Sequence, residues 1–173
     1  MHLSDVRRAV LIKLLPTNER ILEAILGRTR DRDVTVRKTV YSGVLEQHCL
    51  VSNPNKAKSE DDTEEDMGMT HPRVLSIANR ELIVRNGLGD REESVKTAAA
   101  KLIEMWLDVV TPKVPDGQNA AEASILAFLD LFDLVANSTA EDALTSVFQR
   151  RPDLLDGLRF EGKFHGVARR HYV

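Results

Sequence analysis

A valine followed by a cation recurs along the chain and restricts the fold more than any other feature. Val6-Arg7 is followed thirty positions later by Val36-Arg37, and fifty-nine positions after that by Val95-Lys96. After each valine, apolar residues return at i+4 and i+8, the spacing of one face of an α-helix. A repeated amphipathic helix predicts a solenoid, in which each helix buries its apolar face only against neighbouring units.

An acidic insertion explains why the second interval is longer than the first. Residues 51–70 contain two Lys/Arg against six Asp/Glu and few apolar side chains, so burial cannot offset the entropy of ordering them. We predict a disordered acidic loop at 52–70. Without its roughly twenty residues the interval falls to about 39, the length of a HEAT unit. Ser59 and Thr63 each precede an acidic residue at +3 and are candidate phosphorylation sites; an unmodified solubilising loop is the alternative.

Capping residues predict where the helices begin and end. Thr17, Asp33 and Ser76 each stand just before a helical pattern, where a side-chain oxygen can accept the free N–H groups of the first turn. Gly87 and Gly89 predict the end of the helix that Ser76 begins. A long apolar run predicts one buried helix over 120–136. Ser138 or Thr139 would begin the next helix, which runs through Phe148.

The predicted fold is all-α: a HEAT- or armadillo-like solenoid of antiparallel helix pairs with a right-handed superhelix. HEAT repeats are expected in residues 1–51, where the first is incomplete, and again in residues 71–164. The acidic loop at 52–70 separates them, and an atypical tail follows at 165–173.

Composition and motifs exclude several classes of protein. Cys49 is the only cysteine, so no intrachain disulfide forms and a reducing compartment is expected. The first residues lack the apolar core of a signal peptide, and no stretch approaches the ~18 apolar residues of a membrane span. Phosphate-loop, Gly-x-Ser-x-Gly and His-Glu-x-x-His motifs do not occur. We therefore expect a soluble intracellular protein that is not an enzyme and uses no metal, cofactor or small-molecule substrate.

The recurring cations predict a structural ladder. Arg7, Arg37 and Lys96 share one position at a helix start, and equivalent positions line up in a stacked solenoid. Interior cations need partners, and acidic turn residues are available for pairing: Asp31, Asp33 and Asp90.

The cations one position further on predict a surface for DNA. Arg8 and Lys38 are expected to face solvent, where a row of cations can follow a phosphate backbone. Residues 1–50 contain nine Lys/Arg against six Asp/Glu, a net charge of +3. Three of these cations join the candidate DNA-binding set: Lys13, Arg30 and Arg32. An ordinary solvated face is the alternative.

Several segments together carry a resemblance to a known family. They are residues 5–11, 28–33, 36–41, 71–77, 80–81, 87–91, 128–133 and 141–144. In these segments the chain resembles the condensin subunit 3 family, the HEAT-repeat subunits also called chromosome-associated protein G. The resemblance covers about residues 3–164 and is strongest to fungal members. Since family members are much longer, we expect this chain to be a fragment.

The resemblance implies a non-catalytic scaffold. Members of the family bind the kleisin subunit of condensin and, with it, clamp double-stranded DNA during mitotic chromosome condensation. Association with the SMC ATPase subunits through the kleisin is implied, as is a location in the nucleus on chromosomes, or in the cytoplasm outside mitosis. The alternative function is a protein-only HEAT adaptor that binds peptides on its concave face, with little dependence on salt.

Overall fold

The computed structural model describes residues 3–50, 67–115, 119–136, 138–156 and 158. The α-helices in these ranges are α1 (Leu3–Lys13), α2 (Glu19–Leu26), α3 (Val34–Thr39), α4 (Ile77–Leu88), α5 (Glu93–Val110), α6 (Ala120–Leu129), α7 (Thr139–Arg150) and α8 (Asp153–Asp156). A 3-10 turn (Gly27–Arg30) follows α2, and a π-helical turn (Val40–Leu45) extends α3. The described residues include no strand, only an isolated bridge between Leu50 and Met67. The all-α prediction is confirmed for these residues.

The helices that carry the recurring valines pack against one another in chain order. Helix α1 contacts α3, α3 and its π-helical turn contact α5, and α5 contacts α7. Helices α4 and α6, which precede and follow α5 along the chain, also pack on α5. The helices that begin with the valine-cation pair and α7 therefore form a continuous row.

The predicted apolar stripe is buried wherever a helix has a neighbour on both sides. Val36, Val40 and Val44 are completely buried, and so are the equivalent residues of α5. In α1, by contrast, Val6 and Val10 are 43% and 53% exposed. The stripe is thus one part of the core on which the row is built.

Side-chain caps start the helices as predicted at two of three positions. Asp33 accepts the N–H groups of Thr35 and Val36, and Ser76 accepts that of Asn79. The prediction for Thr17 is wrong, because Asn18 is the N-cap of α2 and accepts the Ile21 N–H at 3.0 Å. Asparagine caps at least as well as threonine, and Asn18 stands directly before Glu19, the first residue of the helix.

The helix predicted over 120–136 ends at Leu129. The Leu131 and Phe132 N–H groups donate to carbonyls three residues back, which tightens the chain into a turn. Phe132 then packs edge-to-face on Phe128, with ring centroids 5.4 Å apart. The apolar run continues because the turn also reaches the core, although Leu134 and Val135 beyond it are exposed. The next helix begins at Thr139, after Ser138, and extends two residues beyond Phe148.

The end of the predicted acidic loop is packed rather than disordered. The Gly68 N–H donates to the Cys49 carbonyl at 2.9 Å, and the Thr70 hydroxyl donates to the Leu45 carbonyl at 2.9 Å. Thr70 is completely buried, so residues 67–70 belong to the folded part. Residues 51–66 and the predicted tail at 165–173 lie outside the described residues. In the described part of the chain, no helix combines the length and the apolarity needed to cross a membrane.

Gly87 allows α4 to approach its neighbours closely, so Gly87→Ala should destabilise the fold. A Cβ at this position would lie 2.9 Å from the Tyr41 Cε1 atom and against the Cβ of Ala99. Overpacking of this kind costs about 2 kcal/mol, which exceeds the roughly 1 kcal/mol that alanine contributes through helix propensity. Urea unfolding monitored by circular dichroism should therefore show a lower midpoint.

Gly27→Ala is the matched control, because a Cβ at Gly27 meets no atom within 4 Å. This variant should be neutral or slightly stabilising. Equal midpoints for the two variants would contradict the close approach at Gly87.

Candidate functional site

Two ion pairs link successive units of the row at the turns between helices. Arg7 Nη2 of α1 lies 3.1 Å from Asp31 Oδ1, in the turn before α3. Arg37 of α3 reaches the turn before α5 and holds Asp90 with two bonds, Nε to Oδ2 at 2.7 Å and Nη2 to Oδ1 at 2.9 Å. Both side chains of the second pair are more than nine-tenths buried. We call these two pairs the ladder.

The two acidic partners occupy the same local turn. Asp31 Oδ1 accepts the Asp33 N–H at 3.0 Å, and Asp90 Oδ1 accepts the Glu92 N–H at 2.9 Å. Each aspartate stands five residues before the recurring valine of the following helix. The turn therefore fixes the carboxylate at the position where the cation of the preceding unit arrives.

The charges of the buried pair stabilise each other. The pKa of Asp90 is held below its usual range, first by the hydrogen bonds from Arg37 and further by the charges of Arg37 and Arg91. The pKa of Arg37 is raised, first by the same hydrogen bonds. Arg37 also donates from Nη1 to the Asp31 carbonyl at 2.9 Å, so one guanidinium joins both turns.

Lys96 and Asp33 depart from the predicted ladder. The Lys96 ammonium lies 3.8 Å from Glu93 in its own helix, and the side chain is 42% exposed. Asp33 acts as an N-cap, and its pKa is lowered first by the N–H of Val36. Among the described residues the ladder thus consists of two ion pairs. Lys96 does not add a third, because it pairs with a carboxylate of its own helix and not with one in the loop before a later helix.

The candidate DNA-binding cations lie on the surface. Arg8, Lys38, Lys13 and Arg32 are exposed and form no ion pair with a described residue. Arg30 is also exposed, and its Nε donates to Asn86 Oδ1 at 3.3 Å. Arg8 and Lys38 each follow a ladder arginine in neighbouring helices, so their charges remain available where those of Arg7 and Arg37 are neutralised. The candidate phosphorylation sites, Ser59 and Thr63, lie outside the described residues.

A second set of ion pairs was missed by the sequence analysis. It joins the later turns of the helices in the row: Lys101 to Glu46 at 2.8 Å, Arg150 to Glu104 at 2.6 Å and Arg151 to Asp108 at 3.3 Å. The partners are 43 to 55 residues apart. No local pattern marks such pairs, because neither partner repeats at a fixed distance from the recurring valine.

The described residues include no group of three or more His, Cys, Asp or Glu that could hold a metal ion. Burial raises the pKa of the Cys49 thiol to about 11, so it stays protonated at neutral pH and is a poor nucleophile. What the arrangement can do is present fixed charges on a rigid helical surface.

Comparison with curated proteins finds relatives of one kind. The chain is 32% identical to condensin complex subunit 3 of Schizosaccharomyces pombe over 163 residues, which cover 93% of this chain and 15% of that protein. Identity to the Saccharomyces cerevisiae protein of the same name is 29% over 158 residues, 91% of this chain and 12% of that protein. For the Homo sapiens protein it is 30% over 150 residues, 86% of this chain and 11% of that protein. No family model matches the chain, and no solved structure matches it significantly.

Removal of the Asp90 carboxylate should destabilise the fold strongly. Asp90→Ala leaves the buried Arg37 guanidinium without its partner, which costs about 3 kcal/mol. Because the folded pKa of Asp90 is depressed, its stabilisation is present above the unfolded pKa and is lost as the pH falls through the folded pKa. Urea titrations between pH 7 and pH 2 should show stability of the parent decreasing below about pH 4, with a smaller decrease in the variant.

Asp108→Ala removes an exposed carboxylate that also pairs with an arginine, and it serves as the control. This change should shift the free energy of unfolding by no more than about 0.5 kcal/mol at pH 7. If Asp90→Ala costs as little as Asp108→Ala, the ladder is not a structural requirement.

Proposed function

Because the chain belongs to the condensin subunit 3 family, we propose that it is a non-catalytic HEAT-repeat scaffold that binds double-stranded DNA and the kleisin subunit of condensin. The single observation that carries the DNA part is the pair of exposed cations Arg8 and Lys38, next to the two ladder arginines. The chain spans between 11% and 15% of the length of its relatives, so it would contribute one section of the surface used by the whole subunit.

The HEAT assignment is supported by the row of helices and by the ladder. Helices α3 and α5 carry near their start the same valine-cation pair as α1; each buries its stripe and contacts the previous member of the row. The same aspartate turn precedes α3 and α5. A repeated unit that is stabilised mainly by its neighbours is the defining property of a solenoid.

The DNA part is supported by charge that the fold leaves free. Arg8 and Lys38 occupy equivalent positions of two packed helices, and packed helices lie about 8–10 Å apart. Cations at that spacing can neutralise successive phosphates and release their counterions, which makes the binding electrostatic and dependent on salt. Thr97 stands at the equivalent position of α5, so the pair of aligned cations does not continue onto that helix.

The kleisin part of the proposal is supported by the family relationship alone. Through the kleisin the chain would associate with the SMC ATPase subunits on chromosomes in the nucleus. A helical scaffold presents peptide-binding surfaces without any catalytic group, so the proposal requires no enzyme activity of this chain.

The DNA part is tested by charge reversal at Arg8 and Lys38. Binding of the 173-residue chain to a short duplex is measured by fluorescence anisotropy over a salt series, with and without a kleisin peptide. The parent should bind at low salt. Arg8→Glu/Lys38→Glu should weaken that binding at least about tenfold and reduce the slope of log K against log salt by about 2.

Arg20→Glu/Lys113→Glu is the charge-matched control, because both residues are exposed and neither is a candidate DNA-binding cation. If the control variant binds DNA as weakly as the Arg8 and Lys38 variant, DNA binding depends only on the net charge of the chain. Absence of DNA binding at low salt, together with kleisin-peptide binding that salt does not change, would favour a protein-only adaptor.

A further inference from the structure

A concave pocket lies where the turn before α3 meets the end of α4 and the turn before α5. Its volume is about 520 Å³, within the range of small-ligand sites. Arginines line it from both sides: Arg30 and Arg32 from the first turn, Arg85 from α4 and Arg91 from the second turn. We call it the arginine pocket.

The pocket carries an excess of positive charge that the fold does not neutralise. Five arginines and two aspartates line it, a net charge of +3. Both aspartates are engaged in the ladder, Asp31 with Arg7 and Asp90 with Arg37. The fifth arginine, Arg37, is satisfied by Asp90 and by the Asp31 carbonyl. The excess therefore resides on the four exposed arginines.

Those four guanidinium groups have weak partners or none in the described residues. Arg30 donates to the neutral Asn86 amide oxygen at 3.3 Å. Arg91 lies 3.7 Å from Glu92, and its side chain is 78% exposed. Arg32 and Arg85 form no ion pair with a described residue. Most of their donors are free to bind an anion.

The walls of the pocket are held in place by buried and partly buried hydrogen bonds. Asn86 Nδ2 donates to the Thr29 hydroxyl at 2.8 Å, and that hydroxyl donates to the Leu26 carbonyl at 2.7 Å. Arg37 ties the Asp31 carbonyl of one turn to the carboxylate of the other. The backbone that carries the four arginines is therefore fixed before an anion binds, and only their exposed side chains need to be ordered.

We propose that the arginine pocket binds a phosphomonoester, the group carried by a phosphorylated serine or threonine of a protein partner. A phosphomonoester has close to two negative charges and three acceptor oxygens, so it can engage several guanidinium groups at once. A phosphodiester of a duplex offers only one charge, so it can engage fewer of these groups.

The inference goes beyond DNA binding and does not depend on it. Arg85 and Arg91 are not among the candidate DNA-binding cations, whereas Arg30 and Arg32 belong to both sites. Phosphopeptide and duplex are therefore expected to compete for Arg30 and Arg32 but to differ in their need for Arg85 and Arg91.

The experiment measures binding of a fluorescent phosphoserine peptide with neutral flanking residues to the 173-residue chain. The unphosphorylated peptide and the same peptide carrying a phosphate methyl ester are the ligand controls. The parent should prefer the phosphoserine peptide at least about tenfold over both, because each control has less charge and fewer free oxygens. Arg85→Gln/Arg91→Gln should remove most of this preference, and both sites are exposed, so the fold should survive.

Two further variants locate the effect. Arg20→Gln/Lys113→Gln loses the same charge outside the pocket and should bind the phosphopeptide like the parent. Arg8→Glu/Lys38→Glu should also bind the phosphopeptide like the parent, although its binding to DNA is weakened. The proposal is overturned if the phosphopeptide binds no better than its methyl ester, or if the Arg20 and Lys113 variant is weakened as much as the pocket variant. It is also overturned if inorganic phosphate, added at the same concentration as the peptide, displaces it completely, since the site would then hold free anions rather than a protein partner.

Discussion

The bidentate ion pair between Arg37 and Asp90 joins helix α3 to the turn before α5, across 53 residues of the chain. A buried guanidinium is unfavourable unless a carboxylate and further acceptors surround it. Arg37 has both, because the Asp31 carbonyl of its own unit completes the set. A shift of α5 along α3 would leave two buried charges without partners. The pair therefore favours one register for the row, while the apolar core, of which the stripe is one part, supplies the burial.

The ladder also decides where positive charge reaches the surface. Arg7 and Arg37 are neutralised by aspartates in the turns, so they add little to the field outside. The adjacent Arg8 and Lys38 have no such partners, and the turns that carry the aspartates also carry Arg32 and Arg91. The proposed DNA surface and the proposed phosphomonoester pocket are thus two consequences of one repeated turn.

Most of the helices could be predicted because their signals are local. Asp33 and Ser76 cap the helices that follow them, and the stripe at i, i+4 and i+8 depends only on helix geometry. The errors fall where tertiary contacts override a local pattern. Phe132 reaches the core through a turn and not through a longer helix, and Thr70 is ordered by the Leu45 carbonyl from across the acidic segment. The Thr70 hydrogen bond spans 25 residues, so no pattern within ten residues of Thr70 reports it.

The sequence by itself determined that the chain is helical, where its repeated unit begins and which positions carry the recurring cations, because periodicity and capping act over one or two turns. Only the tertiary structure decided which cations are neutralised, since Arg37 finds its carboxylate 53 residues away while Lys96 turns to Glu93 in its own helix. The same holds for Arg85 and Arg91, which meet Arg30 and Arg32 only because α4 packs beside the turn before α3. The sequence sets which residues are charged, but whether a charge is paired or free depends on the residues that folding brings close to it.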